Sequence, residues 1–493
     1  MLRPGGFALI TLPNLRKVAE FVAADLLEEP AYTADAGPIT PLDTIYGWQR
    51  DLARGNHFMA HKTGFTATTL RRALERAGFV EIRVIEDDGL GLWAKAHAAP
   101  DGGDGMKSGN SVFVACGTTI FEVMSRLADQ HKAVNLGQGF PDGNGPPDVV
   151  AAAAVWLNDG WNQYPPMPGL PALRQALAAH NARFYDLAVD WATETLVTSG
   201  ATEALAACLF GLLEPGDEVV LFQPLYDSYV PIIRRAGAVP RFVSLKAPDW
   251  SFTAADLDAV FNERTKLVLI NNPQNPAGKV WTREELALLA SYVLRHDAMA
   301  VCDEVYEHLV FDGRRHIPLM SLPGMRDRTM RIGSAGKTFS LTGWKVGYVT
   351  GPAALLAPVI KAHQFLTFTT PPNLQHAVAL GLNKDDIYFA DLASDMARRR
   401  DLLSEGLRAA GLVVLPCAGT YFLTVDLAAS GIDMDDRTFC RHLTEKVGVA
   451  AIPISAFFER DAPTHLVRFC FCKRDEVLEE AVRRLRQGMK GRG

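Results

Sequence analysis

Hydrophobic residues follow one pattern through most of the chain and another near its start. From about residue 112 onward, short and nearly continuous apolar runs alternate with stretches of helical spacing. Leu196-Val-Thr-Ser-Gly, Glu218-Val-Val-Leu-Phe, Lys266-Leu-Val-Leu-Ile and Ala298-Met-Ala-Val-Cys are each bounded by turn or charged residues, and Thr282 to His296 suits a helix. A strand that is apolar at nearly every position is buried on both faces, as in a parallel sheet covered by helices. The pattern therefore predicts an α/β body, largely parallel, with its ligands at strand C-terminal ends.

The first hundred residues read differently. Arg3-Pro-Gly-Gly is a turn feeding the strand Phe-Ala-Leu-Ile-Thr-Leu, and Thr66 to Gly78 places Leu70, Leu74 and Ala77 on one helical face. Phe79-Val-Glu-Ile-Arg-Val-Ile alternates as a strand, and Gly89-Leu-Gly-Leu-Trp-Ala-Lys-Ala is placed to pair with it. Between the two regions, the small and polar residues Ala98-Ala-Pro-Asp-Gly-Gly-Asp-Gly-Met-Lys-Ser-Gly-Asn110 cannot bury apolar surface and read as a linker. The expected division is 1–97, a linker 98–111, and a body 112–493.

Composition narrows the function classes. The 493 residues are enough for two to four domains, with 48% hydrophobic and 22% charged residues and a net charge of −6. No basic run marks a polyanion partner, so nucleic-acid binding is not expected. No apolar stretch has the ~18–20 residues of a membrane helix, and Met1-Leu-Arg-Pro-Gly-Gly lacks a signal-peptide pattern. The cytoplasm is the expected compartment. Seven cysteines without Cys-x-x-Cys spacing fit reduced, mostly buried thiols, and Cys470 and Cys472 would share one strand face. His57 and His61 lie four apart, but no acidic third ligand follows at a useful spacing, so no metal is expected. Gly89-Leu-Gly-Leu-Trp-Ala lacks the third glycine and helix of a dinucleotide fingerprint.

Candidate chemistry is concentrated in five segments of the body. Ser334-Ala-Gly-Lys-Thr sets Lys337 among small residues, where a flat ring could lie close and desolvation would turn the amine into an imine-forming nucleophile. Asp303, in Val301-Cys-Asp-Glu-Val-Tyr306, ends an apolar strand, where a carboxylate can pair with a protonated ring nitrogen. Asn271-Asn-Pro-Gln-Asn-Pro-Ala-Gly278 follows another strand, and its paired prolines stiffen the loop that aims Asn275. Ser199-Gly-Ala-Thr-Glu-Ala-Leu opens a helix whose free N–H groups form a phosphate site. Arg468 alternates with apolar residues that face a core.

Taken in chain order, these segments resemble fold-type I aminotransferases of class I/II over residues 116–487, most of all the kynurenine and methionine aminotransferases. The likeness also runs through Asn135-Leu-Gly-Gln-Gly-Phe-Pro-Asp, Asn162-Gln-Tyr-Pro and Leu466-Val-Arg-Phe-Cys-Phe. It implies an α/β fold with a seven-stranded, mostly parallel sheet in a large domain of about 155–384. A smaller α+β domain would come from about 112–154 and 385–493.

The resemblance further implies pyridoxal 5'-phosphate as cofactor, with Lys337 as the Schiff-base lysine and Asp303 as partner of the pyridine nitrogen. Tyr306 and Asn275 would bind the ring's phenolic oxygen, and Tyr226 would stack on the ring. Gly200, Ala201, Thr202, Ser334 and Lys345 would hold the phosphate, lysine standing where many relatives have arginine. Tyr164 would reach the phosphate of a neighbouring subunit, so a homodimer is implied. Arg468 would clamp the substrate carboxylate with help from the backbone at Gly139 and from Asn275, with Phe140 and Phe457 nearby.

The activity so implied is ping-pong transfer of an amino group from a bulky or apolar L-amino acid (methionine, phenylalanine, glutamine or kynurenine-like) to a 2-keto acid. A cysteine-S-conjugate β-lyase would share the same cofactor residues. A transcription regulator built on this body would need a basic winged helix in front. Residues 1–97 instead resemble the late part of a class I S-adenosylmethionine-dependent methyltransferase, in "LRPGG" and "L..AGF". Its donor-binding loop lies outside this likeness, so a truncated remnant is expected rather than a working fused methyltransferase.

Overall fold

The computed structural model describes residues 7–26, 28–34, 37–41, 43, 65–86, 91–98 and 109–489. The chain forms two compact units, Met1–Gly109 and Asn110–Gly493. His57 and His61 lie outside the described residues.

In the first unit, strands Phe7–Pro13, Gly91–Ala98 and Phe79–Glu86 form an antiparallel sheet with Gly91–Ala98 in the centre. The expected pairing of the last two is present, with a register shift between Val80 and Arg83. Helix Ala67–Arg76 begins with a reciprocal cap between Thr66 and Thr69. It contributes Leu70 and Leu74 to a small core with Leu92, Ala94 and Ala96. Ala77, expected on the same face, is instead the exposed C-cap residue, because the helix stops one residue short of it.

The second unit is built on a seven-stranded sheet. Its strands in chain order are β1 (Thr195–Thr198), β2 (Glu218–Gln223), β3 (Val239–Ser244), β4 (Thr265–Asn271), β5 (Met299–Asp303), β6 (Thr329–Ser334) and β7 (Gly347–Thr350). Their spatial order is β1-β7-β6-β5-β4-β2-β3. Only β7 runs antiparallel to its neighbours, β6 and β1. The apolar runs read from the sequence are strands β1, β2, β4 and β5, and their residues are almost wholly buried. Strand β3 escaped that reading because it is partly exposed and carries Pro240 and Arg241. Helix Arg283–Arg295 lies within the predicted span, starting where Thr282 and Glu285 cap each other.

A second, antiparallel sheet joins Val413–Val414, Phe422–Asp426, Leu466–Cys470 and Ile452–Pro453 in that order. Val134–Asn135 pairs in parallel with Val449–Ala450, tying the segment after helix Ile120–His131 to this region. Cys470 and Cys472 do share a face, with sulfurs 3.2 Å apart in the core. Of the seven cysteines, only Cys116 is exposed.

Behind the ends of β5 and β6 lies a buried charged network. Arg331 binds Glu304 at 2.5 Å and Glu307 at 3.0 Å, and also donates to Asn181. Tyr185 donates to Glu307 at 2.6 Å, and His316 contacts Glu304 at 3.0 Å. Burial pushes the Glu307 carboxyl up, but the charges of His180, Arg331 and His308 outweigh it and hold it down at about 2. The network pins the turn that carries Asp303 and Tyr306. Among the described residues, no helix is long and apolar enough to cross a membrane.

Candidate active site

Strand ends β1, β4, β5 and β6 converge on a cavity of about 360 Å³. Its wall includes Gly139, Gly200, Ala201, Thr202, Tyr226, Asn275, Asp303, Tyr306, Ser334, Lys337, Lys345 and Arg468, all singled out in the sequence. The short helix Ala335–Thr338 after β6 carries Lys337. Its amine donates to the Tyr421 hydroxyl at 2.9 Å. Burial lowers the pKa of this lysine, while Cys472, Asp303 and Cys470 oppose the shift. A depressed amine is more often neutral and so nucleophilic.

Asp303, 5% exposed, closes the far side. Burial raises its pKa to about 6, against the stabilising Tyr229 hydroxyl and Val305 N–H. Tyr229 donates to Oδ2 at 2.6 Å. Asn271 links Asp303 to the proline loop: its amide donates to the Asp303 carbonyl at 2.8 Å, and its oxygen accepts from the Asn275 N–H at 2.6 Å. Such a carboxylate, short of countercharge, suits a protonated ring nitrogen.

At the other end, helix Gly200–Leu212 begins without a side-chain cap at Ser199. The N–H groups of its first turn have no intrahelical acceptor. Gly200 has φ +79°, and a Cβ there would lie 3.1 Å from Cε and 3.3 Å from Nζ of Lys345. A Cβ at Gly347 would sit 2.4 Å from the Gly200 carbonyl carbon, so β7 passes directly against the helix start. Glycine at both positions leaves a cradle of backbone donors with an ammonium beside it, which fits a phosphate.

Arg468 lies on strand Leu466–Cys470 and is 1% exposed. It donates to Asn275 Oδ1 at 2.9 Å and to the Gly137 carbonyl at 2.6 Å, and its guanidinium stands 4.1 Å from the centre of the Phe422 ring. Phe457 lies 5.0 Å from the same guanidinium, below the cavity wall, whereas Phe140 is on the wall. The Gly139 carbonyl is held by Tyr421 at 2.6 Å.

Tyr164 is not part of its own chain's cavity wall. It is 79% exposed and stands edge-on to Phe368, with ring centres 5.3 Å apart. Sequence reasoning overlooked Tyr229, Asn271, Tyr421 and Phe422. Tyr229 follows Tyr226 by three residues and Asn271 precedes the paired prolines, so both lay within motifs already noticed. Tyr421 and Phe422 form an ordinary aromatic start to a strand, without a polar pattern to mark them.

Residues 131–485 match the family model described as aminotransferase class I and II. The chain belongs to that family. Its cofactor is pyridoxal 5'-phosphate, its reaction is transamination of amino acids, and the wall just described fits that cofactor at both ends. The N-succinyldiaminopimelate aminotransferase structure from Mycobacterium tuberculosis is 46% identical, covers 77% of this chain and all of that one, and superposes with a TM-score of 0.75. The methionine aminotransferase of Escherichia coli is 42% identical over 371 residues, spanning 75% of this chain and 96% of the relative. Human kynurenine–oxoglutarate transaminase 1 is 37% identical over 396 residues, spanning 73% of this chain and 94% of the relative.

Proposed function

We propose that this aminotransferase takes the amino group of a bulky or apolar L-amino acid, of the methionine, phenylalanine, glutamine or kynurenine kind, and delivers it to a 2-keto acid. One observation carries the substrate class: among the described residues Arg468 is the only arginine on the cavity wall, beside apolar Phe121, Phe140, Leu205, Val305 and Phe422. One guanidinium suits the α-carboxylate, and the apolar wall suits an uncharged side chain. A substrate with a distal carboxylate, such as the one named for the Mycobacterium tuberculosis relative, would meet no second arginine on this wall among the described residues.

When bound, pyridoxal phosphate supplies a carbonyl that receives amino groups and a ring that draws electrons from the substrate α-carbon. Lys337 would hold the cofactor, and its amine, once free, would move the α-proton of the substrate. Asp303, supported by Tyr229, would keep the pyridine nitrogen protonated. Tyr306 and Asn275 would bind the phenolic oxygen, and Tyr226 would pack on the ring. Gly200, Ala201, Thr202, Ser334 and Lys345 would bind the phosphate. Arg468 orients the carboxylate against the Gly137–Gly139 backbone.

The same reading makes the protein a cytoplasmic homodimer, in which Tyr164 serves the neighbouring subunit's phosphate. Trp161, Tyr164, Phe365 and Phe368 are large side chains left exposed, and a paired surface would cover them. Residues 1–97 are read as a methyltransferase-like fragment, 98–111 as a linker and 112–493 as the aminotransferase, with the large and small domains divided near residues 155 and 385. The helix-backed hairpin of the first unit supports that reading, and micromolar binding of S-adenosylmethionine by calorimetry would contradict the remnant assignment.

The deciding experiment is a panel of amino acids assayed with pyruvate and with 2-oxoglutarate, beside Lys337→Ala. Methionine, aromatic or glutamine donors should dominate, and Lys337→Ala should lose its yellow colour and nearly all turnover. A preference for dicarboxylic donors, or pyruvate and ammonia released without a keto acid, would overturn the reading.

A further inference from the structure

We propose that Tyr421 is the positioning residue that aims the amine of Lys337, an inference that rests on the reading of Lys337 as the reactive lysine. Tyr421 is 1% exposed, at the threshold of strand Phe422–Asp426. Its hydroxyl receives the Lys337 amine at 2.9 Å and meets the Gly139 carbonyl oxygen at 2.6 Å, with the Tyr306 hydroxyl as a further polar neighbour. A carbonyl only accepts, and a phenol has one proton, so that proton is committed to Gly139. Towards Lys337 the oxygen is therefore an acceptor, whatever the charge of the amine.

The consequence is directional. A neutral Lys337 spends an N–H on Tyr421 and keeps its lone pair for the cavity, where the substrate α-proton must be taken. Had Tyr421 been free to donate, it would have occupied that lone pair. The ring cannot easily turn away, because Tyr306 packs edge-on against it at 5.1 Å and 85°. The amine sits in the corner between them, 5.7 Å from the Tyr306 ring centre and 5.6 Å from that of Tyr421. Burial drives the Tyr421 hydroxyl far above its ordinary pKa, which keeps the proton in place for Gly139.

Tyr421→Phe tests this in two ways. In cofactor-free protein, acylation of the Lys337 peptide is followed against pH by mass spectrometry. The Tyr421 oxygen favours the charged amine, so its removal should move the midpoint down by roughly half to one pH unit. In the loaded enzyme, kcat should fall about tenfold to a hundredfold with KM within about threefold, and an α-deuterated donor should give a larger isotope effect.

An unchanged midpoint and isotope effect, or a raised KM alone, would overturn the proposal and reduce Tyr421 to an anchor for Gly139. If Tyr421→Phe does not fold, 3-fluorotyrosine at position 421 keeps both bonds while weakening the acceptor. It should move the midpoint the same way by less, and no movement would overturn the proposal. Borohydride reduction of the loaded wild type separates the two readings. A Lys337 peptide without the cofactor's mass would overturn the lysine assignment itself, whereas a labelled peptide with an indifferent Tyr421 would overturn this inference alone.

Discussion

Tyr229 and Asp303 share a 2.6 Å hydrogen bond in which the phenol donates to a carboxylate with almost no access to water. Burial nevertheless holds Asp303 at about 6, above its ordinary 3.8. Because the folded value is the higher one, this group favours folding while protonated, and that contribution is lost as pH rises through about 6. Cofactor-free Asp303→Asn has no such proton to lose. Its stability relative to wild type should improve by roughly 2 kcal/mol between pH 4.5 and 7. Denaturant unfolding of both proteins at the two pH values checks this, and a constant difference would refute it.

Gly200→Ala should weaken cofactor binding about tenfold. The backbone there is left-handed, and the new Cβ would press on Lys345. An L side chain in that conformation costs about 1–2 kcal/mol, and displacing the ammonium costs phosphate affinity besides. Titration of cofactor-free protein, read by visible absorbance, gives the dissociation constant. Unaltered affinity would remove Gly200 from the phosphate cradle.

Arg468→Lys should lower kcat/KM for amino donors by about a hundredfold, or ~2.7 kcal/mol. Lysine keeps one charge but cannot reach Asn275, Gly137 and a carboxylate as a planar fork does. Half-reaction kinetics with methionine and phenylalanine would measure the loss. An effect of threefold or less would argue against the carboxylate clamp.

Arg331→Met should destabilise the protein by roughly 3–5 kcal/mol at pH 7, since it leaves Glu304 and Glu307 buried without their cation. Glu307 is held at about 2, below its ordinary 4.5. A depressed carboxylate contributes stability above pH 4.5 and loses it as pH falls towards 2. The variant should therefore show a smaller stability decrease over that acid range. Thermal unfolding from pH 7 to pH 3 tests both statements.

Much of the site was legible because its chemistry is written in local motifs. Asp303 and Asn275 each follow an apolar strand, Lys337 stands out among small residues, and parallel sheets gather strand ends at one edge. Arg468 stood out as a charge among core residues. What remained hidden depends on contacts between distant segments. Nothing near Tyr421 in sequence announces that it meets Lys337, 84 residues away, or Gly139, 282 away. Strand β7 was missed as a strand because Gly347 is chosen for its approach to Gly200 rather than for strand propensity. The edge strand β3 lacks the continuous burial that exposed its neighbours to sequence reading.

The two protein acceptors already held by Arg468 bear on inhibitor design. Each of the two guanidinium nitrogens that hold them carries a second N–H, so an incoming carboxylate can be gripped while Asn275 and Gly137 stay bound. An inhibitor's acid group therefore meets a plane that is already set and breaks no protein hydrogen bond on docking. Flat acid groups that match the plane should outbind tetrahedral ones in this pocket, and Arg468→Lys, which has no plane to match, should erase the difference.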